Sequence, residues 1–259
     1  MRRVILDLGL KGRRVIVTGG SRGIGKAIIE TLLKEGAEVA TCARGADTLN
    51  ATLETWHTQG AKVYGEAVDV TKASDYSDWF DNAVGFLGGL DIFISNVSTR
   101  IESKGEQRWL DNFDVDFMQH VRASEMAIPH LQKGKDPSFV FVSTIAAQMA
   151  NIIPMEREYG AMKAALNAYA SQLAHRLAKD GVRSNIVSPG PIYFEGGFWD
   201  QVKQGNPELY KRASQLSALQ RHGTAEEVAN AVVFLASSAA SYITGANLRL
   251  DGGALTQIN

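Results

Sequence analysis

Along most of the chain, short apolar runs alternate with longer stretches in which apolar residues recur every three or four positions. The short runs "RRVIVTGG", "AEVATCA", "AKVYGEAVDV", "LDIFISN", "PSFVFVST", "VRSNIVSPG" and "ANLRLDGG" are rich in Val and Ile and often close on Gly, Asn or Asp. They are predicted strands. Residues 25–36, 47–58, 74–87 and 225–238 carry helical spacing and are predicted helices. Strict alternation of this kind demands right-handed crossovers and a parallel sheet with helices on both faces. No Pro/Gly-rich linker, composition shift or repeat divides residues 1–259, so a single α/β domain is predicted. Only residues 192–221 break the rhythm. They are too long for a simple connection, and such excursions are often lids or binding loops.

Charge and composition narrow the function classes. With 27 basic and 28 acidic residues the formal charge is −1, and the basic residues are scattered, so no nucleic-acid partner is expected. Cys42 is the only cysteine; it rules out an intramolecular disulfide and leaves no Cys pair for zinc, so no metal site is expected. A lone cysteine fits the reducing cytoplasm, where the chain is expected to work. No apolar run approaches the ~20 residues of a membrane span. Arg2 and Arg3 precede a segment interrupted by charge too soon for a signal h-region.

The first strand run leads into "VIVTGGSRGIGKAI", a turn holding Gly19, Gly20, Gly23 and Gly25 with a helix beginning around Ile24. Glycine permits a tight turn and close approach of a ligand. A helix N-terminus offers free N–H groups and partial positive charge to a pyrophosphate. A glycine turn alone is weak evidence, but after the first strand of an alternating chain it reads as a dinucleotide site. The position at the end of the second strand where an acidic residue would bind a ribose 2′-OH holds none: Thr41, Cys42, Ala43 and Arg44 stand there. Arg44, with Arg22 inside the glycine turn, suits a 2′-phosphate instead, because a guanidinium can pair with it bidentately. NADP(H) is therefore expected in preference to NAD(H).

In "EYGAMKAALNAY" Tyr159 and Lys163 stand four apart and so share one helix face. Met162, Leu166, Tyr169 and Leu173 form an adjacent apolar stripe expected to face the core. Alone, the stretch reads equally as an amphipathic helix with a phenol and an amine on its border.

Taken with "TGGSRGIG", "VDVT", "YGAMK", "SPGPI" and "DGG", in this order and spacing, the chain resembles the short-chain dehydrogenase/reductase family, in its compact 3-oxoacyl-carrier-protein-reductase-like form. The resemblance runs from about Lys11 to the C-terminus. It implies a doubly wound Rossmann-type domain with seven parallel strands, assembled as a homotetramer or homodimer on long helices near 106–131 and 158–179. It implies that Tyr159 exchanges a proton with the substrate oxygen. A free phenol titrates near ~10, and the charge of Lys163 would favour the phenolate. Lys163 would also hold the nicotinamide ribose. By the same resemblance Gly19, Ser21, Arg22, Gly23, Ile24 and Gly25 cradle the cofactor, Asp69 and Val70 contact adenine, Asn96 supports the site, and Pro189, Gly190 and Ile192 border the nicotinamide.

The chain departs from the family pattern at several places. The usual "NNAG" is Ser95-Asn96-Val97-Ser98, and the usual catalytic asparagine is Asp116. The catalytic serine aligns with Thr144, with Ser143 just before it; side chains alternate along a strand, so one of the two hydroxyls serves, Thr144 being favoured. The stretch "NIIPMERE" lengthens the approach to Tyr159, and Tyr193 and Phe194 stand where a cofactor-touching threonine often follows "PGxI". Phe194, Phe198 and Trp199 of the 192–221 segment, with Ile153, point to an apolar, cyclic or aromatic ketone or secondary alcohol as a small-molecule substrate. Two other readings stand beside it: a 3-oxoacyl thioester reductase, and a non-catalytic dinucleotide-binding protein.

Overall fold

A computed structural model describes residues 7–98, 100–150 and 157–256. Seven strands form one parallel sheet: β1 (Arg14–Thr18), β2 (Glu38–Ala43), β3 (Val63–Ala67), β4 (Ile92–Ser95), β5 (Ser138–Val142), β6 (Arg183–Pro189) and, at the far edge, β9 (Asn247–Leu250). Their order is β3-β2-β1-β4-β5-β6-β9, every pair parallel. The strands read as near-continuous apolar runs because both faces are covered. In β1, Val15 and Val17 point into one core and Ile16 into the other; in β5, Val140 and Val142 oppose Phe139 and Phe141.

Helices α1 (Gly23–Lys34), α2 (Ala46–Thr58) and α9 (Ala225–Ala236) cover the first face, with Ile28, Leu32, Trp56 and Val232 buried there. The second face is packed by α3 (Ala73–Leu87), α5 (Gln119–Leu131) and α6 (Arg157–Leu177) through Trp79, Phe80, Leu131, Leu166 and Leu173. At the N-terminal edge of the sheet Asp91 accepts from Arg14 Nη2 at 2.6 Å and from Arg14 Nε at 3.0 Å, tying β1 to β4. No helix among the described residues is long and apolar enough to cross a membrane.

Two predicted elements come out differently. The helix expected over 106–131 is α4 (Gly105–Phe113), a π turn at Asp114–Met118, and then α5. On α6 the buried stripe is Lys163, Leu166, Ala170, Leu173 and Leu177, while Met162 and Tyr169 flank it half-buried. The amine joins the core because acceptors for it lie inside.

The strand order reverses between β1 and β4, so the crevice beyond their C-terminal ends is where an α/β sheet binds ligands. The excursion after β6 leaves as β7 (Ile192–Tyr193) and returns as β8 (Gly223–Thr224), which pair with each other. Between them lie α7 (Phe198–Gly205) and α8 (Pro207–Leu216). A capping box of Thr224 and Glu227 then starts α9.

Candidate functional site

The glycine turn is anchored from both neighbouring strands. Gly19 N donates to Cys42 O at 2.8 Å and Gly20 N to the same carbonyl at 3.2 Å. From the β4 side, Asn96 Nδ2 donates to Thr18 O at 2.9 Å and to Gly19 O at 3.3 Å, while Asn96 N donates to Thr18 Oγ1 at 3.0 Å. Asn96 thus ties the end of β4 to the glycine turn. A Cβ on Gly25 would collide with the Gly19 carbonyl and come within 2.6 Å of Asn96 Nδ2. Gly23, at φ +55°, opens α1 in a conformation that side chains resist. With the first N–H groups of α1 facing the crevice, this cradle fits a dinucleotide pyrophosphate.

The remaining nucleotide candidates lie in the turn or at and beyond the C-terminal ends of β2, β3 and β6. Ser21 O accepts from Thr52 Oγ1 at 3.4 Å, and Ile24 lies half-buried in the first turn of α1. Arg22 is exposed and donates to Gly196 O at 3.3 Å, so the turn is bonded to the excursion. Arg44 is exposed at the end of β2, close enough to Asp69 to act on its charge. Partial burial pushes the Asp69 carboxyl up, but hydrogen bonds from Thr71 and the charges of Arg44 and Lys72 outweigh it and hold the group below its ordinary value. Val70 is buried beside it. Pro189 ends β6, Gly190 N donates to Leu250 O at 2.9 Å, and Ile192 is buried in β7. Cys42 is buried, which pushes its thiol up to about 12 and leaves it unreactive.

On the other side of the crevice, α6 carries Tyr159 half-buried at its start and Lys163 buried beneath it, Nζ lying 5.9 Å from the phenol ring centroid. Lys163 Nζ donates to His120 Nε2 at 3.2 Å and to Val142 O at 3.4 Å, and lies 3.5 Å from Asp116 Oδ1. The Asp116 side chain is wholly buried and accepts from Ser98 Oγ at 2.7 Å; its Oδ2 has no hydrogen-bond partner among the described residues. Burial pushes Asp116 up from the ordinary carboxylate range, against the pull of Lys163 and Ser98. Burial also pulls Lys163 down, against Asp116. The π turn aims Asp116 inward; such one-turn bulges recur at functional sites.

The 3₁₀ turn at Ile145–Gln148 after β5 packs on α6. Thr144 caps it, its half-exposed Oγ1 accepting from Ala146 N at 3.2 Å, which leaves the hydroxyl proton available. Ser143 is buried, and its hydroxyl has no hydrogen-bond partner among the described residues.

Residues of the excursion reach the glycine turn and Arg100. Phe194, expected on the substrate wall, lies on the glycine turn: its ring would be 2.7 Å from a Cβ on Gly23. The bare backbone there leaves room for a ring. Arg100 sits over the Phe198 ring at 5.0 Å, Phe198 meets Trp199 edge-on at 5.0 Å, and Trp199 tilts against His222 at 5.1 Å. Ile153 lies outside the described residues.

Sequence reasoning missed three buried polar residues here. Ser95 and His120 join the Lys163 cluster, and Gln119 Nε2 donates to Val97 O at 3.3 Å, bracing the altered "SNVS". The available signal was the pair Asp116 and His120, four apart within the helix predicted near 106–131 and so on one face of it.

Comparison with known proteins agrees with this geometry. A family model described as Enoyl-(Acyl carrier protein) reductase matches residues 19–255. The isoepoxydon dehydrogenase patN of Penicillium expansum is 34% identical over 255 residues, covering 96% of this chain and 97% of that protein. Among solved structures, an NADPH-bound short-chain oxidoreductase of Pseudomonas aeruginosa PAO1 with an atypical catalytic center is similar at TM-score 0.87 and 27% identity, covering 96% of this chain and 99% of that one. A 7α-hydroxysteroid dehydrogenase complexed with NADH and 7-oxo glycochenodeoxycholic acid is similar at TM-score 0.87 and 26% identity, covering 98% of each.

Proposed function

This chain belongs to the short-chain dehydrogenase/reductase family, and we propose that within it the protein is an NADP(H)-dependent carbonyl reductase or alcohol dehydrogenase with Tyr159 as the proton-transferring group. The family makes it an oxidoreductase of CH–OH and C=O groups. The observation that carries the reading is the buried Lys163 ammonium beneath the Tyr159 ring, at the rim of the switch-point crevice. When bound, the nicotinamide supplies or accepts the hydride. Tyr159 holds the proton that the substrate oxygen gains or loses. Lys163 favours the phenolate, and Asp116, by offsetting part of that charge, keeps the phenol from losing its proton too readily. Thr144 is the hydroxyl able to donate to the substrate oxygen; Ser143 is buried.

Relatives of this fold hold either NADPH or NADH, so the cofactor preference rests on this chain's own residues. Arg44 at the end of β2, with no carboxylate at 41–44, favours the 2′-phosphate. Phe198, with Arg100 over its ring, and Trp199 favour an apolar cyclic or aromatic carbonyl, and the 7-oxo ligand of the hydroxysteroid dehydrogenase is in keeping with that class. Steady-state kinetics on a panel of ketones and secondary alcohols tests both points. The expected kcat/KM is higher with NADPH by about tenfold or more, the worth of one charge-assisted hydrogen bond. Equal or better use of NADH removes the cofactor assignment, and turnover confined to small charged sugars removes the substrate class.

The reading includes a homodimer or homotetramer in the cytoplasm. On α4, Trp109, Leu110 and Phe113 are 41%, 51% and 41% exposed, an apolar face suited to a second copy. Light scattering should give a multiple of the 28.1 kDa chain mass; a monomer mass contradicts the assembly.

A further inference from the structure

Lys163 has three acceptors within reach, and the nearest is uncharged. Nζ lies 3.2 Å from His120 Nε2, 3.4 Å from Val142 O and 3.5 Å from Asp116 Oδ1. A charge-assisted N–H···O bond drawn fully together would measure about 2.7–2.9 Å. The ammonium is therefore not collapsed onto the carboxylate; it is shared among partners, with the imidazole in front.

The chemistry of the donors fixes the state of His120. An ammonium offers only protons, so Nε2 must accept, and a neutral ring then carries its proton on Nδ1. Nδ1 then donates to Ser95 Oγ, 2.6 Å away. Ser95 ends β4 in the middle of the sheet, so the imidazole is held from a rigid element. The ring also lies edge-on to Phe141 of β5 at 6.4 Å. Ser95, His120 and Lys163 are each fully buried. Among the described residues, the titratable groups facing the ammonium are Asp116 from the π turn, His120 from α5 and Tyr159 from α6. From β4 and β5 come only the Ser95 hydroxyl, the Phe141 ring and the Val142 carbonyl. Burial first, and the charge of Lys163 second, hold His120 well below its ordinary value, so it remains neutral.

We propose that His120 is a positioning residue: a neutral acceptor locked by Ser95 that holds the buried Lys163 ammonium beneath Tyr159 instead of letting it pair with Asp116 alone. The proposal rests on the role given above to Tyr159. Its consequence is a stronger positive field at the phenol than the Asp116–Lys163 pair would leave by itself.

The test compares His120→Asn with His120→Gln. Asparagine can occupy the position of Nδ1 and keep Ser95, whereas glutamine reaches the position of Nε2 and can accept from Lys163. The readout is the tyrosinate absorbance titration of the cofactor-free protein, taken as the difference from the same background carrying Tyr159→Phe. The midpoint of Tyr159 should rise in His120→Asn by on the order of one pH unit, and stay near wild type in His120→Gln. The pH–rate profile for alcohol oxidation should shift in parallel. A structural filler would move neither curve selectively. Equal behaviour of the two variants, in titration or in failure to fold, overturns the proposal. A shifted titration in a protein whose turnover does not depend on Tyr159 would instead remove the functional reading and leave the positioning role standing.

Discussion

Tyr159→Phe should lower carbonyl reduction by roughly 10²–10⁴-fold, the usual worth of a positioned proton donor, while NADPH titration remains close to wild type. The change removes one oxygen from a half-buried ring and leaves the packing of α6 on the 3₁₀ turn intact. Thermal unfolding should therefore stay within about 1 kcal/mol of wild type. Loss should appear in kcat and in kcat/KM together, because the interaction exists only as the proton moves. Turnover equal to wild type would show that the proton is carried elsewhere and remove Tyr159 from the chemistry.

Lys163→Met should damage stability and chemistry at once, and the two can be separated. Removing one member of a buried ion pair costs about 3–5 kcal/mol, because the carboxylate is left uncompensated. For a chain of this size that corresponds to a fall in Tm on the order of 10 °C. Asp116 already titrates above its ordinary range, and loss of the ammonium pushes it further in the same direction. A group whose folded pKa is raised contributes stability that is complete below its unfolded value and lost as pH rises through the folded one. The melting deficit of Lys163→Met should accordingly shrink in acid, near and below the ordinary carboxylate range, and widen toward neutrality. Adding Asp116→Leu should recover much of the lost Tm, since replacing both partners of a buried pair by apolar groups is often neutral or better. Alcohol oxidation should remain depressed in the double variant, with its pH profile displaced to higher pH, because the phenol has lost its cationic neighbour. Recovery of activity along with Tm would mean that Lys163 acts only as a structural partner.

Much of the architecture could be read from local pattern because each strand and helix announces itself within a few residues. The valines and isoleucines of "RRVIVT" and the aromatic alternation of "PSFVFV" follow from burial on both faces of a parallel sheet. The glycine turn was legible for the same reason: Gly25 is demanded by the carbonyl of Gly19, six positions earlier. The buried cluster was harder. Ser95, His120 and Lys163 come from three elements, and only the tertiary fold brings the 25 residues from Ser95 to His120 and the 43 from His120 to Lys163 within hydrogen-bond reach. A lysine in an apolar stripe reads as a border residue until its acceptors are known. The place of Phe194 over Gly23 was equally hidden, since the two positions lie on opposite sides of the chain's order and meet only where the excursion folds back on the first turn of the sheet.

The π turn at Asp114–Met118 acts as a phase adjuster between two helical segments. Each residue of an α-helix turns the next by about 100°. Taking one residue out of that turn would rewind it as ordinary helix and swing everything after it around the axis, carrying the imidazole of His120 off the amine. The bulge thus sets the rotation of α5 relative to α4 within one continuous rod, while Asp116 and His120, four apart, share its buried side.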